Sequence, residues 1–184
     1  MENRYCLNGN NRFLSVEGSG KSLRVLIFEE GADKKIATFT PARWAQFVLI
    51  LDEIGDNVKS LSVPQSNVRY QNHIGGRWYV SITAGFKCVD IRQFYWHREK
   101  GPAPSKRGIA LRLPEWKCLT EIISHIHLQH PTLAEAEPCW ASPNHYNQVW
   151  WVFKQSGTLE YTFNNCNYMI IRLYIIWCSN LTLC

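Results

Sequence analysis

Segments rich in β-branched and aromatic residues occur twice along the chain, and each set ends in an amphipathic stripe. Within each set the apolar positions partly alternate, and glycine-containing breaks such as Glu17–Gly20 and Thr83–Gly85 separate the segments. This pattern is typical of short strands joined by turns. After Pro41 and Pro114 the apolar period becomes that of a helix, whose first turn accepts proline. Each half of the chain therefore predicts several strands followed by one helix.

Both predicted helices carry one apolar face. The stripe of the first helix consists of Trp44, Phe47, Val48 and Leu51, and that of the second consists of Trp116, Leu119, Ile122, Ile123 and Ile126. Thr40 is the expected N-cap of the first helix. Amphipathic helices must bury their apolar face against another layer, so we predict that Trp44 and Trp116 are core residues.

The two halves also repeat each other in order. The matching blocks are residues 13–16 with 79–82, 24–28 with 88–92, and 35–44 with 108–116. The offset drifts between blocks, which indicates loops of different length between conserved elements of one repeated unit. We predict a first, degenerate copy at 1–56, a linker at 57–73, a second, basic copy at 74–130 and an irregular tail at 131–184.

Three interpretations of the tail stay open. It adds strands or a short helix to an exposed face, touches a membrane surface through its aromatic residues, or does not fold. Its longest apolar run, Tyr168–Trp177, has ten residues and contains Arg172. A spanning helix needs about 20 apolar residues, so no membrane segment is expected.

Composition is consistent with a folded intracellular protein. The chain has 184 residues, of which 46% are hydrophobic, enough for a packed core and too many for disorder throughout. The N-terminal residues 1–10 are polar and unlike a secretory signal. Seven scattered cysteines form no Cys-x-x-Cys pair, so we expect reduced thiols.

The net charge of +5 is unevenly distributed. Residues 10–60 contain seven basic and seven acidic side chains, whereas residues 74–117 contain nine basic and three acidic ones. A concentration of positive charge in one copy is what an anion-facing surface would produce.

Metal and catalytic functions have little support. The histidines and cysteine that suggest zinc are His125, His127, His130, Cys139 and His145. Their spacing matches no familiar zinc module, so we expect no metal and no cofactor. The second copy has no evident pair of carboxylates for acid–base chemistry, and P-loop or hydrolase motifs are absent from the sequence. We therefore predict that the protein is not an enzyme.

Several motifs of the second copy resemble a known family. They are Ile74-Gly75, Tyr79–Ile82, Val89–Tyr95, Arg107–Leu111 and Pro114–Trp116. Together they resemble the DNA-binding domain of the eukaryotic transcriptional coactivator called positive cofactor four. The first copy is also similar to single repeats of the Pur-alpha family, which share the topology.

The resemblance implies an α+β fold. Each unit is a ββββα element, a curved antiparallel sheet of four strands plus a helix, and two units pair through helices and sheet edges. Two copies in one chain then imply an intramolecular pseudo-dimer. The physical argument agrees, because one such unit alone leaves apolar helix surface without a partner.

The resemblance also implies that the protein binds single-stranded or melted DNA without strong sequence preference. It further implies that this binding takes place in the nucleus and supports the transcription machinery. The implied nucleic-acid-binding residues are Arg77, Phe86, Lys87, Arg92, Tyr95, Trp96, Arg98, Lys100, Lys106 and Arg107. Tyr95 corresponds to a stacking aromatic, and Lys106 and Arg107 to a basic loop before the fourth strand. For Arg92, a place in the groove and a structural ion pair both remain open.

Two other functions are compatible with the same fold. In a protein–protein interaction scaffold, the neutral first copy would bury a partner and the basic copy would keep the chain in solution. A Pur-type protein would bind RNA as well, since stacking on aromatics does not distinguish the sugars. The salt dependence of the affinity distinguishes nucleic-acid binding from the interaction scaffold. Competition between DNA and RNA oligomers shows which of the two nucleic acids the protein prefers.

Overall fold

The computed structural model describes residues 3–9, 11–63, 67–99 and 101–141. The chain divides into two compact units, Met1–Cys139 and Trp140–Cys184. The elements from β1 to α4 named below all belong to the first unit, and a short 3-10 turn spans Cys139–Ala141. The predictions for residues 142–184 lie outside the described part of the chain.

The first half is an antiparallel sheet followed by helix. Its strands, in the spatial order of the sequence, are β1 (Asn3–Cys6), β2 (Arg12–Glu17), β3 (Arg24–Glu29) and β4 (Ile36–Phe39). A 3-10 turn at Gly20–Ser22 joins β2 to β3. Two helical segments follow, α1 (Pro41–Leu49) and α2 (Leu51–Ser60). The backbone N–H of Arg43 donates to the Thr40 hydroxyl at 3.3 Å, which confirms the predicted N-cap.

The second half repeats this order with longer strands. They are β5 (Arg69–Gly75), β6 (Trp78–Thr83), β7 (Cys88–His97) and β8 (Gly101–Arg112), paired in that order. Helix α3 (Leu113–Gln129) follows directly, and a single turn, α4 (Pro131–Ala134), comes after it. The structure thus confirms an α+β fold with two four-stranded antiparallel sheets, each followed by a helix.

Strand pairing is equivalent in the two sheets. Leu14 lies opposite Ile27 in the first sheet, and Val80 lies opposite Ile91 in the second. All four side chains are fully buried. The neighbouring outward pairs are Phe13–Phe28 and Ser15–Leu26 in the first sheet and Tyr79–Arg92 and Ser81–Asp90 in the second. Positions aligned by the sequence blocks therefore occupy equivalent places in the two sheets.

The region between the sheets differs from the sequence interpretation at both ends. Helical residues continue through α2 to Ser60, and β5 already begins at Arg69, so the predicted linker 57–73 contains helix and strand. Polar side chains outnumber apolar ones in α2, because only Ile54 is buried there and the other residues are partly buried or exposed. The helices meet at Ile50, whose backbone (φ −101°, ψ 9°) leaves the helical region.

One hydrophobic core joins the two halves. Its buried residues come from both sheets and from α1, α2 and α3. Trp44 is fully buried and Trp116 is 5% exposed. The ring of Phe47 in α1 meets that of Trp116 in α3 edge to face, with centroids 6.0 Å apart. Aromatic pairs in this geometry add to the stabilisation from burial.

Polar contacts also join the halves inside this core. The Trp44 indole N–H donates to Nε2 of His127 at 3.0 Å. Since an indole nitrogen only donates, Nε2 must be unprotonated and the imidazole neutral. Among the described residues, no group of three or more His, Cys, Asp or Glu side chains could hold a metal ion.

The Trp44–His127 contact predicts a pH dependence of stability. Burial lowers the pKa of His127 below its usual value near 6.5. The contribution of neutral His127 to the free energy of unfolding is therefore fully present above about pH 6.5. It is lost as the pH falls toward the lower pKa that His127 has in the folded state. Urea unfolding at pH 7.5 and 5.5 measures the loss of unfolding free energy.

The variant His127→Gln keeps a hydrogen-bond acceptor but cannot be protonated, so we expect a smaller loss between these pH values than in wild type. His125→Gln, at an exposed position of the same helix, serves as control and should follow wild type. Equal losses in wild type and His127→Gln would contradict the assignment.

Candidate nucleic-acid interface

The sheet of β5–β8 has one face in the core and one face turned away from it. Along β6 and β7 the inward residues, such as Val80 and Ile91, are fully buried. Tyr79, Asp90 and Arg92 alternate with them and are half-buried on the opposite face. This outward face is the one on which a ligand could lie across the strands.

Aromatic rings run across this outward face. The rings of His73 and Tyr79 lie 5.0 Å apart between centroids, and those of Tyr79 and Phe94 lie 4.7 Å apart. Trp96 follows two residues after Phe94 and therefore points to the same side of β7. We call His73, Tyr79, Phe94 and Trp96 the aromatic face. Sequence reasoning missed its first three members, although alternation along Trp78–Thr83 was a usable signal.

The hairpin of β7 and β8 extends beyond the rest of the sheet. Strand β6 pairs with β7 only as far as Gln93, whereas β8 continues to pair through His97. Beyond Gln93 the hairpin is thus a two-stranded ribbon. For this reason neither Tyr95 nor Trp96 is buried: their exposed fractions are 46% and 64%. Residues 94–107 are called the basic hairpin below.

Lys106 and Arg107 lie in a bulge of the basic hairpin. Arg92 pairs with Gly108 and Phe94 pairs with Pro104, so three residues of β8 oppose one residue of β7. The Arg107 N–H donates to the Ser105 hydroxyl at 3.1 Å, which helps to hold the bulge. The structure corrects the expected loop before the fourth strand, because both cations lie within β8. Both side chains are exposed.

Arg92 forms an ion pair on the outward face of the second sheet. Its guanidinium donates to both carboxylate oxygens of Asp90, at 2.9 and 3.0 Å, and to the carbonyl of Ser105 at 3.0 Å. The hydrogen bond that Arg92 donates to the Asp90 carboxylate raises the pKa of Arg92. Of the two roles left open for Arg92, the structure contains the ion pair with Asp90. The hydrogen bond to the Ser105 carbonyl ties Arg92 of β7 to the bulge.

Arg77 lies at the same end of the sheet. Gly76 and Arg77 form a two-residue turn between β5 and β6 and both have positive φ, 58° and 64°. This geometry is that of a type I′ hairpin turn. The Phe94 N–H donates to the Arg77 carbonyl at 2.8 Å. The exposed Arg77 side chain therefore starts next to the base of the basic hairpin.

Phe86 and Lys87 lie at the other end of β7. They occupy the turn between β6 and β7, and Phe86 is 68% exposed. The eight residue-to-residue steps from Cys88 to Trp96 span about 26 Å in an extended strand. The structure thus places the predicted site residues at two ends of one strand. Lys100 lies outside the described residues.

The exposed cations at this end of the second sheet have no carboxylate partners among the described residues, unlike Arg4 in the first sheet. Within the described part of the chain, no carboxylate pairs with Arg77, Arg98, Lys106 or Arg107. In the first sheet Arg4 and Arg12 pair with carboxylates instead: Arg4 pairs with Glu30 at 2.8 Å and lies 3.6 Å above the ring of Phe13. Unpaired cations beside exposed aromatics are therefore concentrated in the second half.

One family model matches part of the second half of the chain. Residues 84–122 match the sequence model of the family described as Transcriptional Coactivator p15 (PC4). The match covers about a fifth of the chain, from the turn before β7 through β8 into α3. It supports the family resemblance and fits a protein that is not an enzyme. The chain matches no curated protein.

In the part of the chain that the structure describes, every helix is too short or too polar to span a bilayer.

Proposed function

We propose that this protein binds single-stranded DNA through the aromatic face and the basic hairpin, and that it acts in the nucleus as a transcriptional coactivator. The match to the coactivator family supports this function at the family level. The observation that carries the proposal is a set of four exposed cations, Arg77, Arg98, Lys106 and Arg107, on the hairpin that exposes Trp96 and on the turn at its base.

The chemistry of this surface suits a single strand. Proteins of this type combine cations that follow the phosphates with aromatic side chains on which bases stack. Stacking needs no particular base, since every base has a π face. The bases of a duplex are already stacked on one another and cannot lie on Trp96. Melted DNA is therefore the expected ligand, with transcription machinery as the expected partner.

We further propose that the two halves are tandem copies forming a pseudo-dimer within one chain. Equivalent strand pairing in the two sheets and a core shared by both halves support this. The copies differ where the ligand would lie. Leu26 and Phe28 occupy the positions of Asp90 and Arg92, so the outward face of the first sheet lacks the polar pair of the second. We expect one strand to be bound per chain.

Fluorescence anisotropy with a labelled oligo-dT of about 20 nucleotides tests the function. We expect binding that weakens steeply with salt and that duplex DNA competes poorly. An apolar protein interface would scarcely respond to salt, so salt-insensitive or absent binding would favour the interaction scaffold. An RNA competitor of matched sequence that displaces the DNA at equal concentration would favour the Pur-type alternative.

Trp96→Ala tests which aromatic side chain stacks on a base. Loss of one stacked base costs about 1–3 kcal/mol, or roughly a 5- to 150-fold weaker affinity. Tyr95 points to the side of β7 opposite the aromatic face. Tyr95→Ala should therefore weaken the binding less than Trp96→Ala.

Phe86→Ala is the matched control, because its ring is equally exposed (68% against 64%) but lies at the far end of β7. We expect its affinity for oligo-dT to stay within about twofold of wild type. A larger loss for Phe86→Ala than for Trp96→Ala would move the site to the turn between β6 and β7.

A further inference from the structure

A turn of the first half lies against the basic hairpin of the second. The β3–β4 turn, residues 30–35, contacts β8 where the backbone N–H of Gly108 donates to the carbonyl of Lys34 at 3.1 Å. Gly108 directly follows Arg107, the last residue of the bulge. The backbone of Lys34 is thus one residue away from the cations of the basic hairpin.

Close packing fixes this junction. A Cβ atom at Gly108 would lie 2.7 Å from the carbonyl oxygen of Ile91 and 2.8 Å from Cα of Arg92. Real side chains do not accept such distances, so glycine lets β7 and β8 approach each other here. The turn of the first half therefore rests on a rigid part of the sheet, and Lys34 has a defined place beside the bulge.

The two lysines of this turn differ in their partners. The Lys35 ammonium lies 2.5 Å from Oε1 of Glu29. This hydrogen bond lowers the pKa of the Glu29 carboxyl. The side chain of Lys34 is exposed, and no carboxylate of the described residues pairs with it. Lys35 is thus locally neutralised, whereas Lys34 adds its full charge to the surface around Arg107.

We infer that Lys34 contacts a phosphate of the strand bound at the basic hairpin, so that both halves of the chain build one nucleic-acid site. The inference rests on the proposed function. A lysine is a point charge on a flexible four-carbon stem, and can follow a phosphate without a fixed geometry. A strand that stacks on Trp96 and passes Lys106 and Arg107 reaches the junction with the first half at Gly108. The first half, whose outward face lacks the polar pair of the second sheet, then contributes a cation to the site of the other half.

The test compares Lys34→Gln with Lys35→Gln in the full-length protein. Both variants lose one positive charge from adjacent positions of the same turn, so long-range attraction changes equally. A phosphate contact to a single strand contributes about 0.7 to the slope of log affinity against log salt concentration. We expect Lys34→Gln to lower that slope by about 0.7 for oligo-dT, which weakens binding about fivefold near 0.1 M salt. Lys35→Gln should keep the wild-type slope.

Other results separate this inference from the proposed function. If wild type does not bind oligo-dT, the proposed function is overturned, and this inference with it. If wild type binds through Lys106 and Arg107 but Lys34→Gln keeps the wild-type slope, only the shared site is overturned. Equal losses in both lysine variants also overturn it, since they indicate general attraction instead of a contact. Thermal unfolding of each variant confirms that the fold is intact.

Discussion

Replacement of three cations of the basic hairpin, Arg98, Lys106 and Arg107, by glutamine is expected to weaken binding of oligo-dT about a hundredfold near 0.1 M salt. Each phosphate contact to a single strand contributes about 0.7 to the salt slope, so three contacts contribute about 2. All three side chains are exposed and do not pair with described carboxylates, so their charge is available to phosphates. Anisotropy titrations at four or more salt concentrations measure the slope.

A control of equal charge makes this result specific. Lys21, Lys59 and Lys117 are exposed outside the sheet of β5–β8, and their triple glutamine variant has the same net charge. That variant should keep the wild-type salt slope. If both triple variants lost the same affinity, net charge alone would explain the binding. A hairpin variant with wild-type affinity would rule out the proposed site.

Arg12→Met is expected to destabilise the protein by about 3–5 kcal/mol, because it leaves a buried carboxylate without its guanidinium partner. Arg12 lies in β2, and its Nη1 lies 2.6 Å from Oε2 of Glu115 in α3. The two side chains are 15% and 2% exposed. The same Glu115 oxygen accepts the backbone N–H of Arg112 at 2.8 Å, at the start of α3. Chemical denaturation measures the loss of unfolding free energy.

A double variant separates the cost of an unpaired charge from the value of the pair. Well-packed apolar residues often replace a buried ion pair without loss of stability, so Arg12→Met/Glu115→Leu should recover much of the stability that Arg12→Met loses. Lys117→Met, which breaks an exposed pair with Glu121 on the same helix, should leave the unfolding midpoint near that of wild type. A double variant as unstable as Arg12→Met would mean that the pair itself provides the stability.

Local pattern was a reliable guide to the elements. Proline at the helix start, an apolar stripe and a capping hydroxyl depend on residues within one or two turns, so they can be read from the sequence. The cap at Thr40 and the burial of Trp44 and Trp116 illustrate this. The extent of α2 was missed although it carries an apolar stripe, Leu51, Ile54 and Val58, because polar side chains outnumber apolar ones around that stripe.

The candidate site was less predictable because it depends on strand register. The sequence identified Trp96, Lys106 and Arg107, but gave no indication that β7 and β8 leave the sheet after Gln93. It grouped Phe86 and Lys87 with these residues, although they lie at the opposite end of β7. Tyr79 and Phe94 meet across two strands, and such a pair is visible only once the register is known.

By itself, the sequence determined the α+β class, the order of four strands and a helix in each half, and the half that carries the positive charge. These properties follow from local periodicity and from composition, which need no knowledge of distant contacts. The tertiary structure alone decided that Arg92 reaches the Ser105 carbonyl, that Arg12 reaches Glu115, and that Lys34 lies beside Gly108. Hydrogen bonds and ion pairs form between atoms a few ångströms apart. Folding alone brings together residues such as Arg12 and Glu115, which are far apart along the chain.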